Sequence, residues 1–181
     1  PESFLPLAKK GFINIHASIL PSWRGAAPIQ RAIMNLDNKT GISIMKINHE
    51  LDAGPICNKY EIDIKKQDNA ETISEKLSML ASGKILDEID NIIDGKANFI
   101  EQDHEKASYA SKIKKSEGNI NWNITANEIL GLVNGLFPIP GAWFIYKGER
   151  YKILKAEVGN ATGEPGIVLS ENLEIGCREK S

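Results

Sequence analysis

Two polar side chains close a short apolar run near the start of the chain. In Gly11-Phe12-Ile13-Asn14-Ile15-His16, Asn14 and His16 stand at i and i+2. On a strand that spacing puts both on one face, about 6.6 Å apart, with Ile13 and Ile15 on the other. A carboxamide that can donate hydrogen bonds beside an imidazole that can carry protons, at a strand's carboxyl end, is what an active site would present. A third candidate, Asp52, lies in the polar turn Asn48-His49-Glu50-Leu51-Asp52-Ala53-Gly54-Pro55. On residue type alone each has a plainer use. A histidine on a short strand is more often a satisfied structural residue, and an aspartate before Gly54-Pro55 more often bonds its own backbone.

The elements that must position these residues follow from periodicity. Pro21 ends the first strand, and Gly25-Ala26-Ala27-Pro28 leads into a helix carrying Ile29, Ala32, Ile33 and Leu36 at helical spacing. The alternation from Gly41 to Ile47 predicts a second strand, and residues 56–64 contain a third. Asp68-Asn69-Ala70-Glu71 resembles a capping box, and one long helical pattern follows with Ile73, Leu77, Leu80, Ala81, Ile85, Ile89 and Ile92 on one side, stopped by Gly95. Strands joined through helices predict an α/β layer.

After about Ala97 a polar, charged run to Gly118 loses all apolar periodicity, as a linker does. Thr125-Ala126-Asn127-Glu128 then offers a capping box for a helix carrying Ile129, Leu130, Leu132, Val133 and Leu136. Strand-like runs at 143–146, 150–158, 167–169 and 173–177, separated by Gly and Asn turns, predict the beginning of a small β-barrel.

Composition narrows the class. The 181 residues are 41% hydrophobic and 25% charged with a net charge of -2, which excludes a disordered or collagen-like chain. The longest apolar run, Ala142 to Tyr146, falls far short of the roughly 18 residues of a membrane span, so a soluble protein is expected. Cys57 and Cys177 lie far apart with no Cys-x-x-Cys and no histidine at ligand spacing, which supports neither a zinc site nor a disulfide framework and makes reduced cytosol the default compartment. Residues 1–105 carry 12 basic and 16 acidic side chains, while residues 106–181 carry 10 and 8. Lys106, Lys112, Lys114 and Lys115 cluster where the sign changes; such a cluster is either a solvated loop or a contact for a polyanion such as nucleic acid.

Three separated blocks occur in order: Asn14 through Ile29 (NIHASILPSWRGAAPI), Thr40 through Met45 (TGISIM) and Leu51 through Ile56 (LDAGPI). Together they resemble the signature of the folate-dependent formyltransferases, most of all the branch that acts on methionyl-tRNA. The resemblance implies an enzyme in which Asn14, His16 and Asp52 form the catalytic set and Ser18, Ile19, Leu20 and Pro21 line the folate site. It departs from the pattern at Ile19, where Leu is more usual, and at Ser22, where a basic residue often stands. The formyl donor it implies is 10-formyltetrahydrofolate, as a co-substrate and without a metal, and the acceptor is the amino group of initiator methionyl-tRNA. A cytoplasmic monomer with no membrane partner is the corresponding expectation.

Moving a formyl group from a folate nitrogen to an amine is acyl transfer: charge develops on the formyl oxygen, the attacking amine loses a proton and the leaving nitrogen gains one. Asn14 can donate to that oxygen, His16 can polarise it or relay a proton, and Asp52 can hold the histidine's tautomer or accept the amine's proton. Neither cysteine falls in the motif, so direct transfer without a covalent enzyme intermediate is expected.

The later part resembles the family's OB-like C-terminal domain through Tyr109-Ala110-Ser111-Lys112-Ile113, Ile120-Asn121-Trp122 and Pro140-Gly141-Ala142-Trp143. That assigns residues 1–97 to part of a Rossmann-like catalytic domain, 98–116 to a linker and 117–181 to part of an OB-like tRNA-binding barrel. Lys106, Lys112, Lys114 and Lys115 are then the candidate phosphate contacts. Asn134-Gly135-Leu136-Phe137-Pro138-Ile139-Pro140 lacks an Arg and a Trp usual in that turn. Because the chain begins without Met just before the Asn-x-His strand and stops within the barrel pattern, a fragment missing both ends is expected. The alternatives are a sugar-nucleotide or glycinamide ribonucleotide formyltransferase, and, from a different class, a non-catalytic RNA-binding module.

Overall fold

The computed structural model describes residues 2–181, with side chains from residue 4 onward. Three strands, β1 (Ile13–His16), β3 (Lys39–Lys46) and β4 (Ile56–Asp63), form an antiparallel sheet in the order β1-β3-β4. The central strand is buried along almost its whole length, with Ile42, Ile44 and Met45 at 1% exposure or less. Register places Asn14 opposite Met45 and His16 opposite Ser43, so β3 is the floor on which the Asn-x-His strand rests.

Helix α1 (Pro28–Met34) opens with proline in its first turn and covers the sheet together with α2 (Ala70–Ser82). Ile33, Ile42, Ala70, Ile73 and Leu77 form the buried core between these layers. The single long helix expected from 70 to 92 is two: α2 stops at Gly83 and α3 (Ile85–Ile93) begins after Lys84. Gly83 and Lys84 hydrogen-bond back to Met79 and Ala81, closing α2 before the apolar stripe resumes. In α3 only Ile92 and Glu88 are buried and Ile89 is exposed, so the stripe does not continue onto the same core. The cap of α2 is also shifted by one residue. Asn69 accepts from the Thr72 amide and Thr72 returns the bond, while Asp68 pairs with Lys76.

The second region centres on α4 (Ala126–Leu136), capped as expected by Thr125 and Glu128, and on the hairpin β6 (Ala142–Tyr146) and β7 (Glu149–Ile153). Its core is Ile120, Ala126, Ile129, Val133, Ala142 and Cys177. The strand expected over 150–158 ends at Ile153, and of the runs at 167–169 and 173–177 only an isolated bridge between Val168 and Ile175 forms. Alternating side chains supply a face to bury, but a ladder also needs a partner edge, and these runs find none beyond that bridge.

The regions meet where α4 crosses α1. A Cβ on Gly135 would lie 2.6 Å from Met34 Cγ and 3.1 Å from the Gln30 carbonyl oxygen, so only glycine permits this approach. The segment expected to be a linker is anchored to the first region at several points, though most of its side chains are exposed. Ile100 exchanges two backbone hydrogen bonds with Ile56, and β5 (Tyr109–Ala110) pairs in parallel with β2 (Arg24–Gly25). From α1, Arg31 reaches over to the Glu117 carboxylate at 2.6 Å and to Ser111.

Candidate active site

His16 ends β1 and is buried, and its ring is held at one nitrogen and faces a carboxylate with the other. Nε2 lies 2.9 Å from the Trp23 carbonyl oxygen, and Nδ1 faces Asp52 Oδ2 at 3.6 Å. A carbonyl oxygen has no proton to give, so Nε2 must carry the hydrogen and Nδ1 is the atom that gains or loses one. The tautomer is therefore fixed by the backbone of Trp23 and not by Asp52, the reverse of the expected arrangement. Trp23 can aim its carbonyl inward because it adopts φ +64°, a left-handed conformation costly for its side chain, and its indole Nε1 donates to Asp37 at 2.8 Å.

Asp52 is also left-handed, at φ +48°, which aspartate tolerates better than most residues in a tight turn. Its Oδ2 accepts from the Gly25 amide at 2.8 Å, leaving Oδ1 without a hydrogen-bond partner among the described residues. Gly54 brings the turn back against β3, where a Cβ would overlap the Lys46 carbonyl oxygen. The structure thus brings His16 and Asp52 together across 36 residues of sequence. Asn14 is half-buried on the same face of β1, and its carboxamide makes no hydrogen bond among the described residues.

Between His16 and α1 the chain folds into a rigid loop. Each of the six carbonyls from Ser18 to Trp23 accepts a hydrogen bond within the protein, from the Ser43 hydroxyl, the Ser22 amide, the Lys59 ammonium, the Ser108 amide, the Ser18 hydroxyl and His16 in turn. Ser18 and Leu20 are wholly buried. Of the expected folate-lining residues, only Ile19 and Pro21 present side-chain surface. Ile19, with Ser22, Trp23 and Thr40, borders a cleft of about 170 Å³.

Several residues outside the expected set hold the site. Gln102, from the run expected to be a linker, is buried; it donates to the Asp52 and Gly54 carbonyls and accepts from Arg24. Ser108 caps the Trp23 amide. Trp23 and Arg24 lay inside a motif, but nothing in the polar texture around Gln102 distinguishes it. Of the expected phosphate contacts, Lys106 is paired with Asp103 at 2.8 Å, and that carboxylate raises the lysine above its ordinary value while falling below its own. Lys112, Lys114 and Lys115 are exposed. Among the described residues no group of three or more His, Cys, Asp or Glu side chains is placed to hold a metal ion, and no helix is long and apolar enough to cross a membrane.

The chain thus has two parts, a sheet that brings His16 and Asp52 together beside the strand-borne Asn14 and a helix-and-hairpin region packed against it. Family profiles agree: one described as formyl transferase matches residues 1–89, and one described as formyl transferase, C-terminal domain, matches residues 112–181. The chain belongs to the formyl transferase family.

Among its relatives, the methionyl-tRNA formyltransferase of Pelagibacter ubique is 64% identical over 98% of this chain, and that of Thermodesulfovibrio yellowstonii 43% identical over 97%. The chain spans 57% and 56% of their respective lengths. Two solved structures share the fold. An N-formyltransferase from Helicobacter canadensis, in complex with folinic acid and dTDP-3-aminofucose, superposes with a TM-score of 0.79 at 21% identity, over 93% of this chain and 63% of that one. The methionyl-tRNA formyltransferase of Clostridium thermocellum gives 0.68 at 23% identity, over 81% and 63%.

Proposed function

We propose that the protein to which this chain belongs transfers the formyl group of 10-formyltetrahydrofolate to the amino group of initiator methionyl-tRNA, in the cytoplasm. The observation that carries the reading is the His16–Asp52 pair. Each member is fixed by a backbone group on one side, and each offers a free atom, Nδ1 or Oδ1, on the other.

Asn14 donates its amide hydrogens to the formyl oxygen as charge develops there. The Asp52 carboxylate receives the attacking amine's proton and passes it to the neighbouring His16 Nδ1, which gives it to the departing folate nitrogen, so both side chains end each turnover as they began. The donor lies against the apolar surfaces of Ile19 and Pro21, since Ser18 and Leu20 face inward and the loop's carbonyls are engaged. Residues 1–97 form the catalytic part and 98–116 join it to the acceptor-binding part, 117–181, which we read as OB-like. Exposed Lys112, Lys114 and Lys115 contact tRNA phosphates, with Lys106 less available because Asp103 already holds it.

The test is turnover in the full-length protein. His16→Ala or Asp52→Asn should depress formyl transfer by about a thousandfold while circular dichroism and melting stay unchanged. Near-normal transfer by either folded variant would sink the assignment.

A further inference from the structure

The segment from Ile100 to Ala110 runs across the catalytic turn as a strap. It is tied down at both ends, by the two backbone bonds between Ile100 and Ile56 and by the pairing of β5 with β2. Between the ties it inserts one buried side chain. Gln102 Nε2 donates to the Asp52 carbonyl at 2.9 Å and to the Gly54 carbonyl at 2.8 Å, bracketing the turn on both sides of Ala53.

The other end of the same amide, Oε1, accepts from Arg24 Nε at 3.1 Å and Nη2 at 2.8 Å. Arg24 is 2% exposed and has no carboxylate partner among the described residues, so its guanidinium fixes which way the Gln102 amide points. With Oε1 held by the cation, Nε2 must face the two carbonyls. Arg24 is also the neighbour of Gly25, whose amide holds Asp52 Oδ2. One unit thus grips Asp52 twice, by its main chain through Gln102 and by its side chain through Gly25.

We infer that Gln102 is a positioning residue for the reaction, setting where Asp52 presents its carboxylate to His16 and to the incoming amine. The inference rests on the reading of His16 and Asp52 as reacting groups. It assigns the strap a part in catalysis distinct from joining two regions. An error of an ångström at such a carboxylate costs rate while leaving substrate binding almost untouched, because Gln102 is buried behind the turn with its amide committed to Arg24 and the two carbonyls.

The informative variant is Gln102→Glu in the full-length protein. It keeps an oxygen for Arg24 and replaces the donor with an oxygen that faces two carbonyls. We expect kcat to fall about 10- to 100-fold with KM for the formyl donor and for the aminoacyl acceptor held within about twofold, and thermal unfolding little changed. The double variant Arg24→Met/Gln102→Met removes cation and amide together, leaves no orphaned charge, and should show the same split. A folded form of either variant with wild-type kcat, or with its loss confined to KM, overturns the inference. His16→Ala and Asp52→Asn are measured alongside. If those two remain active the catalytic reading itself fails, whereas if they are inactive and Gln102→Glu is not, only the positioning role falls.

Discussion

The sheet β1-β3-β4 and the stretch after Ile153 carry the same kind of sequence and behave in opposite ways. Both contain short apolar-rich runs that read as strands. In the sheet, Ile42 and Ile44 are buried between two paired strands, while Ile167, Val168 and Leu173 are 52%, 56% and 74% exposed and only Val168 of the three forms a bridge, with Ile175. The difference is the neighbour. β3 has a strand on each edge and helices α1 and α2 on one face, so each side chain it turns inward meets a surface. A pattern of period two states which face could be buried, and only tertiary contact buries it.

The widest gap is expected between matched truncations. Ile44→Ala should cost about 2–5 kcal/mol of stability and Val168→Ala less than about 0.5 kcal/mol, measured by urea unfolding; equal costs would erase the distinction. Whether the regions nonetheless act as one unit is tested by Gly135→Leu, which overfills the α4–α1 crossing and should cost about 1–3 kcal/mol. A smaller effect, about 1 kcal/mol, is expected for Thr125→Ala at the cap of α4 and for Asn69→Ala at that of α2. Similar values at both caps would show that helix ends in the two regions are held alike and that only the strands differ.

The gentlest test is pH. Burial pushes the Asp68 carboxyl up, but the Lys76 ammonium and the Lys65 amide outweigh it and leave it below the ordinary range. Glu117 is lowered chiefly by Arg31, which joins α1 to the second region. Both are more acidic folded than unfolded, so their stabilisation is complete above about pH 4 and is lost as pH falls through the folded values. Glu117→Gln should flatten that acid limb. At the other extreme, the hydrogen bond to Glu88 holds Tyr60 up to about 12. Its contribution is present below about pH 10 and disappears as pH rises through 12, and Glu88→Gln should bring its absorbance titration down.

The first region was largely legible because its elements are short and punctuated. Pro28 opens α1, Gly95 ends α3 with φ +74°, and the three strands fall within a few residues of their alternating runs. The break at Gly83-Lys84 was not legible, since the apolar spacing runs through it and the decision lies in which core each half reaches. At the site, the types and order of Asn14, His16 and Asp52 were readable. The atoms that restrain them were not, because they are main-chain groups of Trp23 and Gly25 and one glutamine in a polar run. Residue type carries no record of where a carbonyl points. The run from 98 to 116 looked like free chain because its bonds are backbone to backbone or from buried polar groups, which leave no hydrophobic rhythm.

The crossing at Gly131 and Gly135 has a mechanical consequence. There α4 lies close against the Ile33 and Gln30 carbonyls and the Met34 and Leu36 side chains of the α1 region, which leaves the joint little room to slide or rock. The crossing therefore holds the hairpin region at a set distance from the turn that carries Asp52, as a ruler would.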